Sequence, residues 1–151
     1  MQLTSYTDYA LRALLYLMSR PEHRASTREM AEAYGVSLHH FTKVTKDLTK
    51  AGWLIGIRGG GGGVRMATHT PDARVGEIIR STENFELLEC FNLKTNTCLI
   101  ARRCRLRGVL YQARAAFFAV LDSVTVREIS ENSDELRHIL TGNVQGTRPD
   151  E

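Results

Sequence analysis

Ser26-Thr27-Arg28-Glu29-Met30-Ala31-Glu32-Ala33-Tyr34-Gly35-Val36-Ser37-Leu38-His39-His40-Phe41-Thr42-Lys43-Val44-Thr45-Lys46-Asp47-Leu48-Thr49-Lys50-Ala51-Gly52 reads as two helices joined by a tight turn. Ser26 and Glu29 have capping-box spacing: the Ser hydroxyl takes the amide three residues on, and the Glu carboxylate takes the Ser amide. Met30, Ala31 and Ala33 face inward, and Tyr34-Gly35-Val36 turns the chain. Ser37 is the expected N-cap of the second helix. Phe41, Val44 and Leu48, at i, i+3 and i+7, form its buried stripe as far as the Gly52 stop. The opposite face carries His39, His40, Thr42, Lys43, Lys46 and Lys50. A short Gly-containing turn followed by a helix with a basic outer face predicts a helix-turn-helix. Such a helix fits the DNA major groove. Lys43 and Lys46 are candidates for phosphates or guanine edges, and Ser37, His39 and His40 for base contacts near the helix start. A metal-binding histidine pair would need i, i+4 spacing, which His39 and His40 lack.

Beyond this unit come Trp53 to Arg58, five glycines (59–63) and Val64 to Ala67. Two short β-prone runs about a glycine turn predict a hairpin. Next to a helix-turn-helix, a hairpin with Arg58 and Arg65 at its tip is a wing able to hold phosphate or enter the minor groove. A nucleotide phosphate loop is disfavoured, because no Lys-Ser or Lys-Thr follows the glycines and no helix opens there.

On the N-terminal side, Ala10, Leu11, Leu14, Leu15 and Met18 mark one face of a helix over 7–19, which Pro21 closes. Ser5 to Asp8 has capping-box spacing, and Asp8 lies in the first turn, where a carboxylate suits the helix dipole. After a turn at Thr70-Pro71-Asp72, Val75, Ile78 and Ile79 predict a short helix ending near Thr82.

All three cysteines fall between Cys90 and Cys104 in C-x(7)-C-x(5)-C spacing. Three thiols cannot all pair as disulfides, and no apolar signal segment opens the chain, so a reducing cytoplasm is expected. Clustered cysteines there are metal ligands, redox groups or small buried hydrophobes. The polar loop Asn92 to Thr97 allows the chain to fold back. Cys104, among Arg102, Arg103, Arg105 and Arg107 and near an expected helix start, is in surroundings that favour a thiolate.

Leu106, Leu110, Ala113, Phe117, Val120 and Val124 follow a 4, 3 alternation, the seam of a coiled coil, and predict a dimerisation helix and a homodimer. Thr125 to Glu128 has capping-box spacing and predicts a last short helix. The fold expected is mainly α with a small β-hairpin wing. A winged helix-turn-helix domain covers 1–80, the cysteine loop 81–104, the dimerisation and C-terminal helices 105–141, and a polar, disordered tail 142–151. The chain has 151 residues, 42% hydrophobic and 25% charged, which is ordinary globular composition. Residues 1–80 hold 11 Lys and Arg against 7 Asp and Glu, and 81–151 hold 9 against 10, so the first part is the basic one. No apolar run approaches the roughly 20 residues of a membrane span. No nucleophile elbow, P-loop or zinc-protease motif points to an enzyme.

The opening Met1-Gln2-Leu3-Thr4-Ser5-Tyr6-Thr7-Asp8-Tyr9-Ala10-Leu11-Arg12, the Ala51-Gly52-Trp53 ending, the Ile57-to-Arg65 wing, Val75-Gly76-Glu77-Ile78-Ile79-Arg80 and the cysteine trio together resemble the nitric-oxide-sensing repressors of the Rrf family of winged-helix regulators. The likeness spans about residues 1–130. It implies a homodimeric repressor of double-stranded promoter DNA, with an iron-sulfur cluster that nitric oxide destroys, releasing the DNA. By the same resemblance, Cys90, Cys98 and Cys104 are cluster ligands, residues 81–104 are the cluster-binding loop, and Asp8 of the other subunit is the fourth ligand. A 4Fe-4S centre is expected ahead of 2Fe-2S. Arg107 departs from the histidine that the family's iron-sulfur-assembly regulator carries three residues after its last cysteine. Alternatives within the same fold are a redox thiol switch, a Zn site or a sensor of iron-sulfur status.

Overall fold

In the computed structural model, which describes residues 2–59, 62–92 and 94–142, helix α1 (Ser5–Met18) opens the fold. Its N-cap is Thr4, whose hydroxyl accepts the Thr7 amide. Ser5 is already helical, so the cap lies one residue before the expected one. Ala10, Ala13, Leu14 and Leu17 line the buried face of α1.

The Ser26–Glu29 box forms as read: the Ser26 hydroxyl accepts the Glu29 amide at 3.1 Å, and the Glu29 carboxylate accepts the Ser26 amide at 2.7 Å. It starts α2 (Thr27–Ala33). Gly35 then takes φ 61°, and the Val36 amide returns 2.9 Å to the Ala31 carbonyl, the bond that ends a helix in a left-handed residue. In α3 (Leu38–Lys50), Phe41, Val44, Thr45 and Leu48 are buried. Ser37 is at the N-cap position but makes no side-chain cap. Because Phe41 is fully buried, truncating it to Ala would cost about 3–5 kcal/mol.

The wing is larger than a hairpin. Strand β1 (Arg24–Ala25) pairs with β3 (Gly63–Met66), which pairs in turn with β2 (Leu54–Ile57), giving an antiparallel sheet of order β1-β3-β2. Two residues carry no alternation, so β1 has no sequence signal. Gly63 admits it: a Cβ there would lie 2.4 Å from the Ala25 carbonyl oxygen. Leu54, Val64 and Met66 point into the core, whereas Ile55 and Arg65 face out. Arg65 therefore sits within β3, opposite Ile55 and Arg24, and only Arg58 flanks the glycine tip. Gly60 and Gly61 lie outside the described residues.

A 3-10 turn at Thr70–Asp72 leads to α4 (Val75–Thr82). The cysteine loop follows, then α5 (Arg105–Leu121) and α6 (Ser133–Gly142). The main core joins α1, α2, α3, the sheet and Ile78 with Val126, and Leu140 of α6 packs on it. The Arg137 Nε donates to the Ser19 carbonyl at 2.6 Å, fastening α6 beside α1. A second cluster holds Val75, Ile79 and Phe118. No described helix is long and apolar enough to cross a membrane.

Two expectations about this C-terminal part are corrected. The Thr125–Glu128 box forms, but it opens a single 3-10 turn at Glu128–Ser130, and α6 starts only at Ser133. The seam of α5 is also divided. Leu110 packs on the cysteine loop, and Phe117 and Val124 pack on the α4 cluster. Leu106, Val109 and Val120 are instead 59, 59 and 69% exposed. The free stripe thus runs along 106, 109, 113, 116 and 120, a 3, 4, 3, 4 spacing rotated from the predicted one. The expected disordered tail lies, but for Gly142, outside the described residues.

Candidate functional site

His39, His40, Lys43 and Lys46 are exposed on α3 outside its buried stripe, and Ser37 is exposed at its N-cap. The burial of Phe41, Val44 and Leu48 fixes that orientation, so the polar face is a consequence of core packing. The Tyr6 hydroxyl donates to the Asp47 carboxylate at 2.9 Å, and the Tyr9 and Phe41 rings stack with centroids 5.9 Å apart, which locks α1 against α3. On the wing, Arg65 is exposed and its cross-strand neighbour is Arg24, also exposed. The pair of cations on one sheet surface includes a residue that sequence reasoning missed, because the strand holding Arg24 has only two residues.

Asp8 is half-buried in the first turn of α1. Both its oxygens face Arg12: Nε donates to Oδ1 at 2.9 Å and Nη2 lies 2.8 Å from Oδ2. The Arg12 guanidinium in turn sits over the Tyr9 and Tyr34 rings, 5.8 and 5.6 Å from their centroids. The Tyr34 hydroxyl donates to the Arg12 carbonyl at 3.1 Å, and burial pushes its pKa up to about 12. Asp8 is thus paired through both oxygens with an arginine that is itself seated on two rings.

The three cysteines are free thiols, Cys90 buried and Cys98 and Cys104 half-buried. Cys90 lies in a 3-10 turn (Glu89–Phe91) and packs with Phe91 and Ala101, flanked by Cys98, Leu110 and Tyr111. Phe91 stacks on Tyr111 at 4.1 Å and 11°, so the loop is seated on α5. Side chains close the loop locally: Asn96 Oδ1 accepts the Cys98 amide, and Glu89 accepts both the amide and the hydroxyl of Thr97. The hydroxyl bond first, with the amide bond, holds the Glu89 carboxyl below its usual range. Cys104 is the N-cap residue of α5 and makes no side-chain cap, leaving the first amides of that helix without a side-chain partner. Among the described residues no three His, Cys, Asp or Glu side chains are gathered as a metal site. The single chain thus brings the thiols into one loop without assembling them around a point.

The Rrf2 family model, described as an iron-dependent transcriptional regulator, matches residues 3–132. The chain belongs to the Rrf2 family. A protein named HTH-type transcriptional regulator NsrR from Shouchella clausii (strain KSM-K16) is 48% identical over 93% of this chain and 95% of its own length. The protein of the same name from Bacillus subtilis (strain 168) is 39% identical over 93% of this chain and 97% of its own. Staphylococcus aureus CymR has the same fold, with a TM-score of 0.66 and 22% identity over 85% of this chain and 97% of that one. So has T. potens IscR, with a TM-score of 0.65 and 23% identity over 99% of this chain and 94% of that one. This Rrf2 chain is a winged-helix transcriptional regulator, which implies DNA binding.

The donor set of this Rrf2 chain suits a thiophilic metal. Thiolate sulfur is the usual ligand of iron-sulfur clusters and structural zinc, and a half-buried loop with apolar walls limits solvent at such a centre. Three cysteines leave one iron of a four-iron cluster, or one position on zinc, to be filled from elsewhere. Asp8 lies far along the chain on α1, already oriented by Arg12.

Proposed function

We propose that the protein is a homodimeric repressor of promoter DNA whose iron-sulfur cluster senses nitric oxide. The observation that carries the reading is the seating of all the chain's cysteines, as free thiols, in one loop packed on α5 of a winged-helix regulator. The similarity to the NsrR proteins supports it. Cys90, Cys98 and Cys104 would hold the cluster, 4Fe-4S in preference to 2Fe-2S, with Asp8 of the partner subunit as fourth ligand. The cluster, when bound, supplies iron that reacts with nitric oxide.

The residues of the chain do the rest. Lys43 and Lys46 neutralise phosphates, Ser37, His39 and His40 meet base edges, and Arg58 and Arg65 hold the backbone or enter the minor groove. Arg12 orients Asp8. Tyr6, two residues away, ties the same helix turn to α3, so a pull on Asp8 is felt by the reading helix. The free stripe of α5, Leu106, Val109 and Val120, is the surface for the second copy. Metal linkage acts on whichever dimer geometry permits it, so the loaded dimer favours one spacing of the two α3 helices.

An anaerobic absorption spectrum before and after nitric oxide, paired with gel shifts on promoter DNA, tests the proposal. Absorbance at about 400 nm that collapses with loss of DNA binding is expected. Colourless protein that binds DNA regardless would turn the reading to a thiol switch or a Zn site. A band that responds to cellular iron-sulfur supply but not to nitric oxide would make it a sensor of iron-sulfur status.

A further inference from the structure

Among the described residues, one buried side-chain polar atom has no hydrogen-bond partner, the Nε of Arg107. Arg107 is in the first turn of α5. Its Nη1 donates to the Ala101 carbonyl at 3.4 Å, and its Cζ stands 5.4 Å from the Tyr111 ring centroid. Ala101 and Tyr111 belong to the cluster that contains Cys90 and Cys98. The guanidinium is therefore held against the cysteine loop at both its outer edge and its face, while its buried Nε–H finds no acceptor among the described residues.

A buried donor without an acceptor is costly, and folded proteins pair nearly all of them. From the first turn of α5, Arg107 folds onto the loop. Glu89, the carboxylate beside Cys90, is engaged by Thr97. Among the side chains of the cluster Arg107 lies against, the polar atoms are the sulfurs of Cys90 and Cys98 and the Tyr111 hydroxyl. We infer that Arg107 is a positioning residue for the sulfur centre: its Nε donates a hydrogen bond to a sulfur of the bound cluster, cysteinyl or inorganic, while Nη1 stays on Ala101. This rests on the cluster reading above. Hydrogen bonds to cluster sulfurs and nearby positive charge both favour the more reduced state, so Arg107 raises the reduction potential.

The test compares the parent with Arg107→Lys and Arg107→Ala, all prepared anaerobically. Reduction potential is read by spectroscopic titration of the loaded proteins, and thermal unfolding by circular dichroism of the cluster-free ones. Expected are a more negative potential in both variants, larger for Ala because Lys retains the charge, and cluster-free unfolding no earlier than the parent. Failure of both variants to take up a cluster, with cluster-free unfolding unchanged, equally supports the assignment. Loaded variants with the parent's potential overturn it, as do cluster-free variants that unfold early while the potential is unmoved. A parent that takes up no cluster overturns the underlying reading and this assignment together; a loaded parent with unshifted variants overturns this assignment alone.

Discussion

Tyr6 and Asp47 are joined by a 2.9 Å hydrogen bond from phenol to carboxylate across 41 residues of chain, linking the first turn of α1 to the middle of α3. Burial first, then the bond and charge of Asp47, push the Tyr6 hydroxyl from 10.0 to about 12. A group whose value is raised on folding contributes fully below its unfolded value and loses the contribution as pH rises through the folded one. Tyr6→Phe should lower stability by about 1 kcal/mol at neutral pH. The difference from the parent should shrink between pH 10 and about 12. Urea unfolding across that range checks it, and a difference that is flat with pH would remove the role given to the bond.

Gly76 allows α4 to approach the end of α5. A Cβ there would lie 2.0 Å from Asp122 Oδ1, in the carboxylate that Arg80 holds with bonds of 2.7 and 2.6 Å. Gly76→Ala should displace the Asp122 carboxylate and break its pair with Arg80, lowering the thermal midpoint. A thermal melt equal to the parent's would mean that the helices separate freely.

For DNA, Lys43→Ala and Lys46→Ala should weaken binding to all sequences and reduce the salt slope by roughly one unit each. Arg65→Ala should cost about 1–3 kcal/mol if the side chain enters a groove. Arg24, beside it on the sheet, should behave as a phosphate contact. Gel shifts over a salt series decide; parent-like binding by every variant would discard this face.

The dimer stripe separates from the monomer core by mutation. Val109→Glu combined with Val120→Glu should yield folded monomers, because both residues are exposed in the single chain. Phe118→Ala should instead destabilise the chain by about 3–5 kcal/mol, since Phe118 is buried in its own subunit. Sedimentation of the double variant as a dimer would assign the interface elsewhere.

Asp8→Ala should retain a cluster on three cysteines yet lose much of the nitric-oxide-dependent change in DNA affinity. Cys98→Ala should lose the cluster and tight binding together. As no more than a half-buried i, i+4 partner of Arg12, Asp8 would contribute about 0.3–0.5 kcal/mol of stability and nothing to sensing. Anaerobic gel shifts with and without nitric oxide distinguish these, and an unchanged response would confine Asp8 to its ion pair.

The chain's local patterns determined the helix-turn-helix, because the Ser26–Glu29 box, Gly35 and the Phe41, Val44 and Leu48 stripe are interactions within a few residues and need no distant partner. The same burial stripe made the polar face of α3 readable in advance. Cysteine spacing marked the loop, as every thiol falls within one short stretch. Tertiary structure alone decided the third strand, since Arg24–Ala25 is a strand only because Gly63 lets β3 come close. It also decided which side of α5 is free. The heptad pattern was compatible with two apolar faces, and contacts with the α4 cluster and the cysteine loop used Phe117 and Leu110, leaving Leu106, Val109 and Val120 outside. The Asp8–Arg12 fork over Tyr9 and Tyr34, and the unpaired Nε of Arg107, depend in the same way on side chains from separate elements meeting, which no sequence period encodes.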